Sequence, residues 1–453
     1  MSNRSQLHLF GAAGKPSPAA EVAGAFDAGR LTQARRLAGL TKAALAARIG
    51  VSGAAVSQWE ARTSPPRPDH LQHLAEALDV PVEFFAIGRP YAQLDGSAAH
   101  FRSLRSTRAS QRAKAIAYVE QVWELTYALE RHVQFPAVDL PGFLPDDPDT
   151  APADPAAAAR DLRHRWGLGT GPVPHLIRTM EMHGIVTTML PFAGGDDIAT
   201  IDAFSTSRMP RPLIVLTPDR GSDVCWHRFT AAHELGHLLL HRDAAPGDPE
   251  QERQADAFAA EFLTPTAAVR DQLPNRVDFK AFEQLSHQWG VSIKSLIYRC
   301  REVGTLTDAS ARRAYQHLNK LTSLDLIRPD PARNYPGELP ALLTQAFDLA
   351  ETTGTLTLPE LARELRWRLP RLRLLLGGPD QRPALRLVLE EQNPPQPTTK
   401  HTNHPGIQKP DSEAQPDSVR KGPDRLQPDE VRPGAGIQMG CTPTGRLESV
   451  RSS

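Results

Sequence analysis

The chain is poor in cysteine: three among 453 residues, Cys225, Cys300 and Cys441, far apart and with no C-x-x-C pair. That excludes a disulfide framework and a cysteine zinc site, and fits a reducing compartment. No run approaches the roughly 18 apolar residues of a membrane span. The opening MSNRSQLHLFGAAGKP has no apolar core of signal-peptide length. Net charge is also missing, since 52 Lys plus Arg balance 52 Asp plus Glu. Partners must therefore be read from where charge sits rather than from its sum. These absences lead to the expectation of a soluble cytoplasmic protein without a membrane partner.

Length allows two or three domains, and composition places their borders. Residues 1–28 read as a weakly ordered N-terminus and 29–90 as a compact helical block. Residues 91–153 read as a connector: a basic stretch (Arg102, Arg105, Arg108, Arg112, Lys114), a helical pattern from Ile116 to Leu129, and the proline-rich PAVDLPGFLPDDPDTAPA. Asp154-Pro155 opens a second block, 154–305, with an N-cap followed by proline. It contains helices over 155–166 and 174–183, then short strands at Ile185–Leu190, Ile198–Ser205 and Leu213–Leu216, then helices over 225–241 and 249–263. A helical extension spans 306–390. The polar, proline-rich 391–453 cannot bury enough apolar area to offset ordering entropy and reads as disordered. The expected fold class is mainly α, with an N-terminal all-α unit and an α+β domain whose small sheet packs on the 225–241 helix.

That helix carries His233-Glu234-Leu235-Gly236-His237, the H-E-x-x-H pattern. On a helix, positions i and i+4 stand on one face, so two imidazoles can grip one metal ion with Glu234 beside them. This is the signature of a zinc hydrolase of the metallopeptidase type. A reacting zinc needs a third protein ligand and an open position. Glu252 is the best candidate, with Asp256 one turn on as the carboxylate that orients a ligating histidine; Glu250 and Glu261 are rival ligands. Gly236 would let another segment approach next to the ligands. Arg228, His241 and Tyr298 are candidates to stabilise an oxyanion, although His241 also suits the helix C-terminus. One Zn2+ per chain is expected, with Glu234 as general base.

In RLTQARRLAGLTKAALAARIGVSGAAVSQWEAR, residues 30–62, Thr41 and Ser52 cap the second and third of three short helices around a Gly50-Val51 turn. That is a helix-turn-helix with Ser52–Ala61 in the recognition position. Over 30–78, seven basic residues face three acids, an excess suited to phosphate contact. Lys42 is placed for the DNA backbone. Ser52, Gly53, Ala54, Ser57 and Gln58 are the exposed positions that can meet base edges.

These residues resemble two known families joined. The first block resembles an Xre/Cro-type helix-turn-helix, with Lys42 where the family often has glutamine. The segment from about 160 to 385 resembles the ImmA/IrrE metallopeptidase family, most densely in RFTAAHELGHLLLH and ERQADAFAAEFLTP, with IDAFS before them. The resemblance implies His233, His237 and Glu252 as ligands and Glu234 as catalytic base. WGVSIKSLIYRCREVG looks like a second helix-turn-helix, but in this family a similar stretch is part of the peptidase core. The implied function is a bacterial DNA-binding regulator with a zinc-dependent endopeptidase domain. It would cleave a repressor-type protein or itself, sit on a double-stranded operator at the nucleoid, and form a homodimer if its half-sites are palindromic. The alternatives are a regulator whose metal domain is a non-cleaving sensor or dimerisation module, or an antitoxin.

Overall fold

The computed structural model describes residues 17–88, 100–101, 109–143, 150–190, 203–217, 221–242 and 248–377. The chain divides into two units, 1–383 and 384–453, and everything described lies in the first. The expected disordered tail, and Arg102, Arg105 and Arg108 of the connector, lie outside the described residues.

Helices α1 (Pro18–Gly24), α2 (Ala28–Leu37), α3 (Lys42–Ile49), α4 (Gly53–Glu60) and α5 (Pro68–Ala77) form the N-terminal block, closed by a 3-10 turn at Val82–Phe85. The sequence marks most of their ends. Thr41 and Ser52 each accept the backbone N–H three residues on, as N-caps do. Gly50, at φ 71°, takes the left-handed conformation that ends α3. One expectation is corrected here. Residues 17–24 are not weakly ordered: Ser17 caps α1, Pro18 occupies its first turn, and Ala19 and Val22 are buried against the block.

A two-residue strand β1 (His100–Phe101) precedes α6 (Ala109–Glu130). The sequence treats this stretch as part of a connector. In the structure α6 is buried around most of its circumference, from Ala115 to Leu129. A helix enclosed on most sides needs no single apolar stripe, so the helical pattern does not by itself show that α6 is central. Helices α7 (Pro155–Arg165) and α8 (Leu176–Met182) lead to β2 (Val186–Met189), β3 (Ala203–Thr206) and β4 (Leu213–Leu216). The sheet order is β1-β3-β4-β2, with β2 parallel to β4 and β3 antiparallel to both its neighbours. Side chains alternate between the two faces of a strand. Phe204, Leu213 and Val215 therefore join one core with α6, while Ala203, Ile214 and Leu216 join another. The uninterrupted apolar LIVL of β4 is the mark of a strand covered on both sides.

The second core is built by α7, α8, α9 (Val224–Leu240), α10 (Pro249–Leu263), α11 (Thr266–Val269), α12 (Phe279–Trp289), α13 (Ile293–Glu302) and α14 (Asp308–Ser323). The first core holds α1–α6 together with α15 (Leu342–Thr352), α16 (Leu358–Leu365) and α17 (Leu369–Leu375). Helix α2 is clamped to α6 through buried charge: Arg30 pairs with Glu124, and Gln33 Nε2 donates to Glu124 at 2.9 Å. No helix among the described residues is long and apolar enough to cross a membrane.

Candidate metal centre and nucleic-acid face

Asp223 starts α9 by accepting the backbone N–H groups of Cys225 and Trp226 at 2.9 and 3.1 Å. Asp248 starts α10 by accepting from Glu250 at 2.9 Å. Glycine at 236 lets the two helices meet. A Cβ there would stand 3.0 Å from Cδ1 of Phe258 and 3.3 Å from Cα of Ala255. The expected close approach at Gly236 is thus made by α10, which brings its carboxylates to the histidines.

His233 and His237 are fully buried, and their Nε2 atoms point at one another across 3.0 Å. Glu252 completes the cluster, with Oε2 3.4 Å from Nε2 of His233 and Oε1 3.5 Å from Nε2 of His237. Three ligand atoms arranged tetrahedrally about one zinc stand roughly 3.4 Å apart, so the donor set fits such an ion in type and spacing. Burial opposes the charge on Glu252, but hydrogen bonds and charge from His233 and His237 outweigh it and hold its pKa down to about 2.

Each imidazole is oriented from behind. Nδ1 of His233 lies 2.8 Å from Oδ1 of Asp256. Nδ1 of His237 lies 3.0 Å from Nδ1 of His241, whose Nε2 lies 2.8 Å from Oε1 of Gln254. One proton placement satisfies this chain: His241 donates through Nε2 to Gln254 and accepts at Nδ1 from His237, leaving Nε2 of His237 a bare lone pair. Burial pushes the pKa of His241 below the ordinary histidine value, in keeping with a neutral ring. His241 stands at the C-cap of α9, the helix end expected for it, and is also the hydrogen-bond partner of a ligand candidate.

Glu234 is fully buried beside the pair, and Ser205 Oγ donates to its Oε2 at 2.7 Å. Ser205 was missed as a site residue because strand and helix meet only in the fold; its place in β3, facing α9, is the signal. The rival ligands are committed elsewhere. Glu250 pairs with Arg253, and Glu261 pairs with Arg299 at 2.9 Å and accepts from Thr266 Oγ1 at 2.6 Å. Arg228 donates to Gly290 O at 3.0 Å and Val173 O at 2.6 Å and pairs with Glu338, so it ties segments together. Tyr298 stands on the exposed side of α13 near Tyr315.

On α4, Ser52, Ala54 and Gln58 are exposed, Gly53 and Ser57 are half-buried, and Val56 and Trp59 face the core. The Ser52 hydroxyl already serves as cap to Ala55 N. Lys42 opens α3, about half exposed, with Nζ 3.5 Å from Oε2 of Glu60. Glu60 is also held by Arg35 through two hydrogen bonds. The basic excess expected over 30–78 needs one correction: Arg30 is a core residue, neutralised by Glu124.

The comparisons with known proteins agree with the two resemblances read from sequence. Residues 31–85 match the helix-turn-helix family model. Residues 180–301 match the peptidase family model described as the IrrE N-terminal-like domain. The second match includes His233, Glu234, His237, Glu252 and Asp256. No curated protein matches the chain. The chain carries a helix-turn-helix domain and a domain of this metallopeptidase family.

Proposed function

From a chain that joins a helix-turn-helix domain to a metallopeptidase-type domain, we propose a DNA-binding transcriptional regulator with a zinc-dependent endopeptidase centre. The substrate class is a repressor-type protein or a second copy of the chain. The observation that carries the reading is the convergence of His233, His237 and Glu252 around one point, with Glu234 buried next to them.

Zinc, when bound by these three side chains, supplies Lewis-acid polarisation of a carbonyl and lowers the pKa of a coordinated water toward roughly 7. The chain's own residues do the remainder. Glu234 takes a proton from the attacking water on a carboxylate oxygen and returns it to the leaving amine nitrogen. Ser205 keeps that carboxylate in place through Oε2. Asp256 and the Gln254–His241 relay fix the two imidazoles with Nε2 turned inward. Burial of both rings limits water around the reacting groups.

The test is incubation of the zinc-loaded protein with its own Glu234→Gln form and with repressors from neighbouring genes. Specific fragments, absent when Glu234→Gln replaces the active chain, support the reading. Stoichiometric zinc without any fragment favours the sensor alternative.

A further inference from the structure

The chain contains a second copy of the architecture that builds its DNA-reading unit, outside both matched segments. In the first copy, Thr41 caps α3, Gly50 closes it in the left-handed conformation and Ser52 caps α4 in extended conformation. In the second, Thr357 caps α16, Arg366 closes it at φ 54° and Arg368 opens α17 at φ −73°, ψ 143°. The spacings are the same: the left-handed residue stands nine positions after the first cap and the second cap eleven. The turn is tied alike, by Val51 N to Ala46 O at 3.0 Å and by Trp367 N to Ala362 O at 2.9 Å.

Burial repeats in register. Leu45, Ala46, Val56 and Trp59 face one core; Leu361, Ala362, Leu372 and Leu375 occupy the corresponding positions and are buried too. From the cap onward, Ser52 through Trp59 and Arg368 through Leu375 show the same sequence of exposed, half-buried and buried residues. Even the preceding helices agree, since α2 and α15 both end at a left-handed glycine, Gly39 and Gly354.

A third segment, α12–α13, shares the turn, with Gly290 left-handed and Ser292 as cap, but its outer face is closed. Ile293 and Ile297, at the positions of Gly53 and Ser57, are buried in the second core. The match of turn geometry alone therefore does not make a reader; the open outer face of α17 sets it apart from α13.

Charge names the partner. Residues 357–376 hold five arginines against two glutamates. Arg371 is spent inside, over the Tyr118 ring and on Gln121. Arg366 donates to Ala86 O and Ile87 O at 3.0 and 2.9 Å, and Arg368 pairs with Asp79 at 3.0 Å, which seats the second unit on the first. Arg363 is exposed and Arg373 half-exposed. We propose that α16–α17 is a second DNA-docking surface, contacting duplex phosphates through Arg363 and Arg373.

The experiment uses the full chain and a labelled duplex of arbitrary sequence, with affinity followed over a salt series. Each lost phosphate contact reduces the slope of log affinity against log salt by about 0.9. Arg363→Gln/Arg373→Gln should lower its magnitude by about 1.8, while Arg363→Lys/Arg373→Lys should preserve it. An unchanged slope in a Gln variant that melts like the parent would overturn the proposal. Loss of self-association with an unchanged slope would also overturn it, by making the face a protein contact. Should the Gln variant unfold, a reduced slope in the Lys variant would count against a phosphate role. Lys42→Gln runs beside them: if it lowers the slope and the arginine pair does not, only the second surface fails. If neither does, the DNA-binding reading itself fails.

Discussion

The Cα of Ala255 lies 3.3 Å from the point where a Cβ on Gly236 would stand. The proposed metal centre depends on that proximity, because α10 delivers both Glu252 and Asp256 to the histidines of α9. Gly236→Val should force the helices apart, at a cost of about 1–3 kcal/mol, and should weaken zinc binding along with stability. Thermal unfolding and zinc titration on the same preparation check this. Weakened stability with undiminished zinc affinity would show that the approach of α10 is not what builds the centre.

Removing a partner that orients a ligand should act on the metal more than on the fold. Asp256 is half-exposed and bonded to His233. Asp256→Ala is expected to lower zinc affinity about 10–100-fold with little change in melting temperature. His241→Ala should do the same through His237, whereas His241→Gln, which can still accept a hydrogen bond, should recover part of the loss. Competition titration against a chelator measures all three.

Glu261 provides a contrast, as an acid on the same helix engaged in structure. Glu261 and Arg299 are each 3% exposed. Arg299 keeps a second carboxylate, Glu302 at 2.6 Å, so Glu261→Ala removes one of its two charged partners and should cost about 1.5–3 kcal/mol, with zinc stoichiometry unchanged. Burial alone would raise the pKa of Glu261, but Thr266 and Arg299 outweigh it and hold the carboxyl below its ordinary 4.5. The folded pKa lies below the unfolded one. The stabilisation is therefore complete above pH 4.5 and lost as pH falls through the folded value. Denaturation midpoints across this acid range should fall less steeply in Glu261→Gln than in the parent.

At the N-terminal reader, Lys42→Ala should weaken binding to all duplexes alike and reduce the salt slope by about 1. Gln58→Ala should instead relax preference at one base position, by about 1–3 kcal/mol. Binding-site selection with each variant separates the two outcomes.

Local chemistry made much of this legible in sequence. Ser52, Thr41, Asp154 and Asp248 announce helix starts, Gly50 announces a stop, and the LIVL strand falls on Leu213–Leu216 as expected. His233, His237, Glu252 and Asp256 declare themselves through i, i+4 spacing on two capped helices. What stayed hidden depends on partners distant in sequence. Arg30 reads as a phosphate contact until Glu124, on α6, neutralises it in the core. Ser205 has no meaning until β3 is laid beside α9. The pattern from Ile116 to Leu129 shows α6 as a helix, but its enclosure on nearly every side, by elements distant in sequence, does not show in it. The likeness of the α16–α17 turn to the α3–α4 turn is hidden in sequence by Arg366, which stands where α3 has Gly50 and bonds to Ala86 O and Ile87 O.

The most direct measurement is a zinc titration of the metal-free chain, by calorimetry or metal analysis, for the parent, Glu234→Gln and Glu252→Ala. One zinc per chain should bind the parent and Glu234→Gln with similar affinity, and binding should be lost or greatly weakened in Glu252→Ala. A parent chain that takes up no stoichiometric zinc, or a Glu252→Ala chain that binds as tightly as the parent, would contradict the His233–His237–Glu252 centre.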